Sequence, residues 1–110
     1  MFGGTLCVPL EEVAGFGPST GTSGEPTQTV FTTDDTAIAS EGLVRQLWSF
    51  GIRPGDLCTL WDPGFAPGLL YAIHSAYRKL GLPYISLALG SLLQERELDR
   101  WTQVLQSLPV

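Results

Sequence analysis

The stretch from Ser19 to Thr27, reading Ser-Thr-Gly-Thr-Ser-Gly-Glu-Pro-Thr, limits what this chain can fold into more than any other. It holds glycines and hydroxyl side chains and no large apolar residue, so it cannot contribute to a core. It can curl tightly and point backbone N–H groups and hydroxyls at one spot, which is the chemistry of phosphate cradling. On composition alone a plain flexible connection serves as well. The flanks add to this. Val13-Ala14-Gly15-Phe16 lies before the run, and the alternating stretch Thr27 to Thr32 lies after it, so the run is expected to join two strands. It is not a Walker A loop, because no Gly-Lys-Ser/Thr follows, and its glycine spacing does not match a dinucleotide fingerprint.

The remainder reads as alternating helices and strands. Thr33 is expected to cap a helix whose first turn carries Asp34 and Asp35 at the positive end of its dipole. Ala37, Val44, Leu47 and Trp48 define its buried face, and Gly51 stops it. Ile52 to Asp56 forms a turn, and Leu57 to Trp61 has the unbroken hydrophobicity of a strand covered on both faces. A second helix opens near Ala66 with Pro67 and buries Leu69, Leu70, Ile73, Tyr77 and Leu80 before Gly81 ends it. Tyr84 to Ala88 is a second interior strand. A last helix, roughly Gln94 to Leu108, turns Leu98, Trp101, Val104, Leu105 and Leu108 inward. Strand, helix and strand joined by short turns require a parallel pair with a crossover helix. The expected fold class is therefore α/β: a Gly-rich hairpin beside a small parallel sheet with crossover helices, in one domain over residues 1–110.

The 110 residues carry six Lys and Arg against eleven Asp and Glu, a formal net charge of −5, and the cations do not cluster. This argues against nucleic acid as the main partner. Any phosphate binding has to rest on backbone dipoles and hydroxyls. Cys7 and Cys58 lack metal-ligand spacing, and nothing suggests a disulfide framework, so no metal ligands are assigned and a reducing compartment is expected. Residues 1–10 lack the charged start and apolar run of a signal peptide. The apolar region from Leu82 to Leu93 is broken by Pro83, Ser86, Gly90 and Ser91, well short of a membrane span. A soluble, cytoplasmic protein is the expectation.

At Ser19 to Thr27 the sequence resembles the phosphate-binding motif of the adenylate-forming (AMP-binding) enzymes, the acyl- and aryl-CoA ligases. Ser19, Gly21, Thr22, Gly24, Pro26 and Thr27 match, and Thr20 and Ser23 exchange hydroxyl for hydroxyl. The phenylacetate-CoA ligase branch is the most similar. It shares the Thr after proline, the Thr-x-x-Asp helix opening at Thr32 to Asp35 and the turn Gly51 to Asp56. It also shares a His before a Leu-Gly helix end, here His74 and Leu80-Gly81. The resemblance runs from about Pro9 to the end of the chain, but only the loop motif is specific.

The resemblance implies part of an N-terminal adenylation domain in which Ser19, Thr20, Gly21, Thr22, Ser23 and Gly24 hold the β- and γ-phosphates of ATP. It implies that the intact enzyme uses ATP, Mg²⁺ and CoA and activates a carboxylic acid as its acyl-adenylate. Phe65 and His74 become candidates for the wall of the acyl pocket, while the bland reading of His74 is a structural histidine. No catalytic residue is assigned. Glu25 departs from the family pattern, because a carboxylate beside a triphosphate is unfavourable. The adenine and ribose motifs and the catalytic lysine are missing; Lys79, the sole lysine, sits in a helix that matches no such motif. The expectation is a fragment of an ATP-dependent ligase, inactive alone, that pairs with the rest of the enzyme or with itself. The alternative is a non-catalytic remnant or interaction module of the same fold.

Overall fold

A computed structural model describes residues 4, 6–18, 24, 27–62, 67–88 and 95–108. A short 3₁₀ turn, Leu10–Glu12, leads into β1 (Val13–Pro18), which pairs antiparallel with β2 (Gln28–Thr32). Helix α1 (Thr33–Ser49) follows directly. Then come β3 (Cys58–Asp62), α2 (Pro67–Leu80), β4 (Tyr84–Ala88) and α3 (Glu95–Ser107). β3 and β4 run parallel, with α2 as the crossover between them. The expected hairpin beside a small parallel sheet is therefore present.

Helix α1 starts one residue earlier than expected. Thr32, not Thr33, is the N-cap, because its hydroxyl accepts from the Asp35 N–H at 3.1 Å while the Asp35 carboxylate accepts from the Thr32 N–H at 2.8 Å. This reciprocal pair satisfies two backbone donors that a helix start otherwise leaves open. At the other end Gly51, at φ 89°, donates to the Trp48 carbonyl, and Ile52 donates to that of Leu47. Gly81, at φ 70°, closes α2 in the same manner through Arg78 and Tyr77. Both glycines occupy the left-handed position that such caps require.

The two helices pack against each other along stripes that differ in part from the expected ones. In α1 the covered side chains are Thr36, Ser40, Leu43, Val44 and Leu47, while Ala37 and Trp48 are exposed. The apolar count alone misses the two hydroxyl residues that continue the stripe toward the N-terminus. Trp48 instead lies outside, under the Arg53 guanidinium at 4.0 Å, and that side chain also donates to the Trp48 carbonyl. In α2 Leu69 is exposed, and the fully covered positions are Ala72, Ala76 and Leu80. Small residues four apart let the backbones of two helices approach closely. Leu43 and Leu47 line a small cavity of about 140 Å³ together with Ile73, Ala76 and Tyr77.

The sheet is covered less evenly than a fully interior one. Leu57 precedes β3, and the register sets Leu60 beside Ser86 and Trp61 beside Leu87. Leu60 and Leu87 thus lie on opposite faces and both are buried, whereas Trp61 is about half exposed. Trp101, Val104 and Leu105 of α3 and Leu108 just after it are only half covered, and Leu98, expected on the inward face, is exposed. No helix among the described residues is long and apolar enough to cross a membrane.

Candidate functional site

The β1–β2 ladder is continuous from Gly15↔Phe31 through Phe16↔Val30 and Gly17↔Thr29 to Pro18↔Gln28. The Thr29 hydroxyl reinforces it by donating to the Gly17 carbonyl at 2.9 Å. Pro18 ends the ladder because it has no N–H to donate. The chain from 19 to 27 is therefore the connection of an antiparallel hairpin. Of the residues assigned to phosphate, Ser19, Thr20, Gly21, Thr22 and Ser23 lie outside the described residues. Gly24 is described: its φ of 134° is a conformation that side-chain-bearing residues rarely adopt, and open space surrounds it. Glycine is thus required here by backbone conformation and not by packing.

The stem is tied to α2 by one ring. Phe31 packs onto Gly15 across the hairpin and onto Gly68 in the first turn of α2. A methyl group added to these glycines would fall 2.5 Å and 3.0 Å from the ring. Tyr71, one turn further along α2, stands with its ring centroid 6.0 Å from that of Phe31. The irregular register between Val13 and Gly15 places the bare backbone of Gly15 under the ring. This clasp was not legible as a motif. Its signal, two glycines and an aromatic in elements distant in sequence, has meaning only once the fold is known.

Phe65 lies outside the described residues. His74 sits half-buried on α2, where its Nδ1 shares a hydrogen bond with the Tyr84 hydroxyl, and the two rings meet edge to face at 5.2 Å. Tyr77 also meets Tyr84 edge to face at 5.2 Å, and burial raises its hydroxyl above the ordinary tyrosine range. His74 thus fastens α2 to the first residue of β4, and only its Nε2 is left for a further partner. Burial, with a smaller contribution from the nearby Asp56 carboxylate, raises the Cys58 thiol, so this cysteine is a poor nucleophile. Among the described residues no group of three or more His, Cys, Asp or Glu converges to hold a metal ion.

No family model matches the chain. Over 88 residues it is 33% identical to the phenylacetate-coenzyme A ligase of Thermus thermophilus, an alignment covering 79% of this chain and 20% of that protein. Its fold matches that of a 2-hydroxyisobutyryl-CoA ligase in an open conformation with 2-HIB-AMP and CoA. The TM-score is 0.73 at 24% identity, over 96% of this chain and 23% of that one. The same ligase in the postadenylation state with R3-HIB-AMP matches at TM-score 0.71 and 23% identity, over 90% of this chain and 19% of that one. The chain is a relative of the adenylate-forming CoA ligases. It spans about a fifth of the length of these ligases. The α/β architecture of hairpin, crossover helix and parallel pair is thus part of the ligase fold.

Proposed function

We propose that the 110 residues are part of an adenylation domain, and that the 19–27 connection holds the β- and γ-phosphates of ATP in an aryl- or acyl-CoA ligase. In that reaction a carboxylate attacks ATP to give an acyl-adenylate and pyrophosphate, and the acyl group then passes to CoA. The observation that supports the reading is the continuous β1–β2 ladder, whose last pair, Pro18↔Gln28, flanks the glycine- and hydroxyl-rich run. Hydroxyls and N–H groups of Ser19 to Gly24 would stabilise charge on the leaving pyrophosphate. Phe65 and His74 are proposed for the acyl pocket, His74 through its Nε2.

The test is the affinity for pyrophosphate or ATP of a protein carrying this chain, with Thr22 and Ser23 each replaced by Ala. Each lost hydrogen bond to a charged acceptor weakens binding by about 1.5–3 kcal/mol at most, so a loss of roughly tenfold is expected. Unchanged affinity would make the run a mere connection. The 110-residue chain alone is expected to show no ATP–pyrophosphate exchange with aryl acids, and robust exchange would overturn that part of the reading. A second reading, an interaction module of the same fold, draws on the exposed Trp61, Leu69 and Ile38. Pyrophosphate or ATP affinity in a protein carrying this chain separates the two, because an interaction module without nucleotide chemistry binds neither.

A further inference from the structure

His74 and Tyr84 line a recess of about 690 Å³ between α1, α2 and β4. One nitrogen of the His74 ring is committed inside the protein, because Nδ1 shares a hydrogen bond with the Tyr84 hydroxyl. What Nε2 can do depends on where the ring proton sits. An Nε2–H donates and a bare Nε2 accepts, and the hydrogen bond made by the other nitrogen decides between them. We propose that Tyr84 is a positioning residue for His74: its hydroxyl donates to Nδ1 and holds the neutral ring as the Nε2–H tautomer. The ring then offers the recess a donor, which selects a ligand that brings an oxygen acceptor and rejects one that brings an N–H. The role in ligand choice rests on the reading of His74 as a wall of the acyl pocket; the tautomer itself does not.

The direction of the bond follows from acid strength. The imidazole lone pair, with a conjugate acid near pKa 6.5, is a far stronger base than a phenol oxygen, and a phenol near pKa 10 is a ready donor, so O–H···N is the favoured arrangement. No other acceptor competes for the Tyr84 proton among the described residues. Tyr77, whose ring meets Tyr84 edge to face at 5.2 Å, directs its own hydroxyl to the Thr59 carbonyl at 3.5 Å. The backbone fixes the donor in place: Tyr84 opens β4 opposite Cys58, and the Cys58 N–H donates to the Pro83 carbonyl at 3.0 Å. A contact that only fastened α2 to β4 would serve with either proton arrangement. A constant donor at the recess requires this one.

His74 is the only histidine, so its ring can be read without ambiguity. The full 110-residue chain, labelled with ¹⁵N in the imidazole, is observed by NMR through its ring nitrogens at about pH 8.5, where imidazole is neutral. Nδ1 is expected in the unprotonated range and Nε2 in the protonated range. Tyr84→Phe should draw the two nitrogen shifts toward each other as the tautomers mix. Tyr77→Phe, which keeps the Tyr84 hydroxyl, should leave both where they are. A protonated Nδ1 or an averaged pair in the native chain would overturn the proposal, whether or not Tyr84→Phe folds. Native shifts in Tyr84→Phe, or the same mixing in Tyr77→Phe, would overturn it too. The pocket reading is tested separately: in a ligase carrying this chain, an unchanged KM for the acid in His74→Ala would sink that reading and leave the tautomer standing.

Discussion

Phe31 rests on Gly68, with its Cδ1 3.0 Å from where a Gly68 side chain would begin. Through this contact the strand leaving the hairpin and the helix opening after β3 share one packing element. The other face of the contact, Gly15, is tighter at 2.5 Å. Gly15→Ala is therefore expected to destabilise the chain by about 1–3 kcal/mol, the range for overpacking a filled site. Gly68→Ala should cost less, because the added methyl also improves helix propensity by up to about 1 kcal/mol. Thermal unfolding of both variants checks the order, and a Gly68 variant worse than the Gly15 variant would contradict the geometry.

Ser40 is fully buried in α1, and its hydroxyl finds no hydrogen-bond partner among the described residues. An unsatisfied buried hydroxyl costs about 1–3 kcal/mol, and alanine is the better helix former. Ser40→Ala should raise the melting temperature. A fall would reveal a partner for the hydroxyl.

The Asp35 carboxyl is held below the usual carboxylate range by hydrogen bonds from the backbone N–H and hydroxyl of Thr32. A depressed folded-state value means that this contribution is fully present above the unfolded value, near pH 3.9, and is lost as pH falls through the lower folded value. The stability difference between the native chain and Asp35→Asn should therefore be constant from pH 7 to about pH 5 and shrink below pH 4. Unfolding curves across that range test it, and a difference that persists at pH 2 would place the stabilisation elsewhere.

Removing the hydroxyl at Tyr84 leaves the His74 Nδ1 without its described partner. Tyr84→Phe is expected to lower stability by about 0.5–1.5 kcal/mol while keeping the ring packing between His74 and Tyr77. No change in urea midpoint would show that water replaces the bond without loss.

Cys7 is exposed, whereas Cys58 is partly covered with a raised thiol. Alkylation at pH 8 should modify one thiol fast and the other slowly, with the slow one mapping to Cys58. Equal rates would contradict its burial.

Much of the architecture was legible because local chemistry and global fold agree. Gly51 and Gly81 announce helix ends, the Pro-Gly pair in Ile52 to Asp56 announces a turn, and two short apolar runs around a helix announce a parallel pair. The misses share one cause: a count of apolar residues does not know which side of a helix is covered. Ala37, Leu69 and Leu98 satisfy the period yet face outward, while Ser40, Ala72 and Ala76 were passed over because they are small or polar. At the site, the hairpin flanking Ser19 to Thr27 could be read from strand alternation. The clasp of Phe31 on Gly15 and Gly68 could not, because these residues converge only through the packing of separate elements.

The turn that follows α1 is joined to the glycine cap of α2. Gly55, at φ 93° in the turn before β3, donates its N–H to the carbonyl of Gly81, and Cys58 donates to the carbonyl of Pro83. The end of α1, the turn, the end of α2 and the starts of β3 and β4 thus form a single stitched seam. Such a seam has to open as a unit, so solvent deuterium should reach the Gly55, Cys58 and Leu82 amides at one common rate, slower than at the Gly17 and Thr29 end of the hairpin.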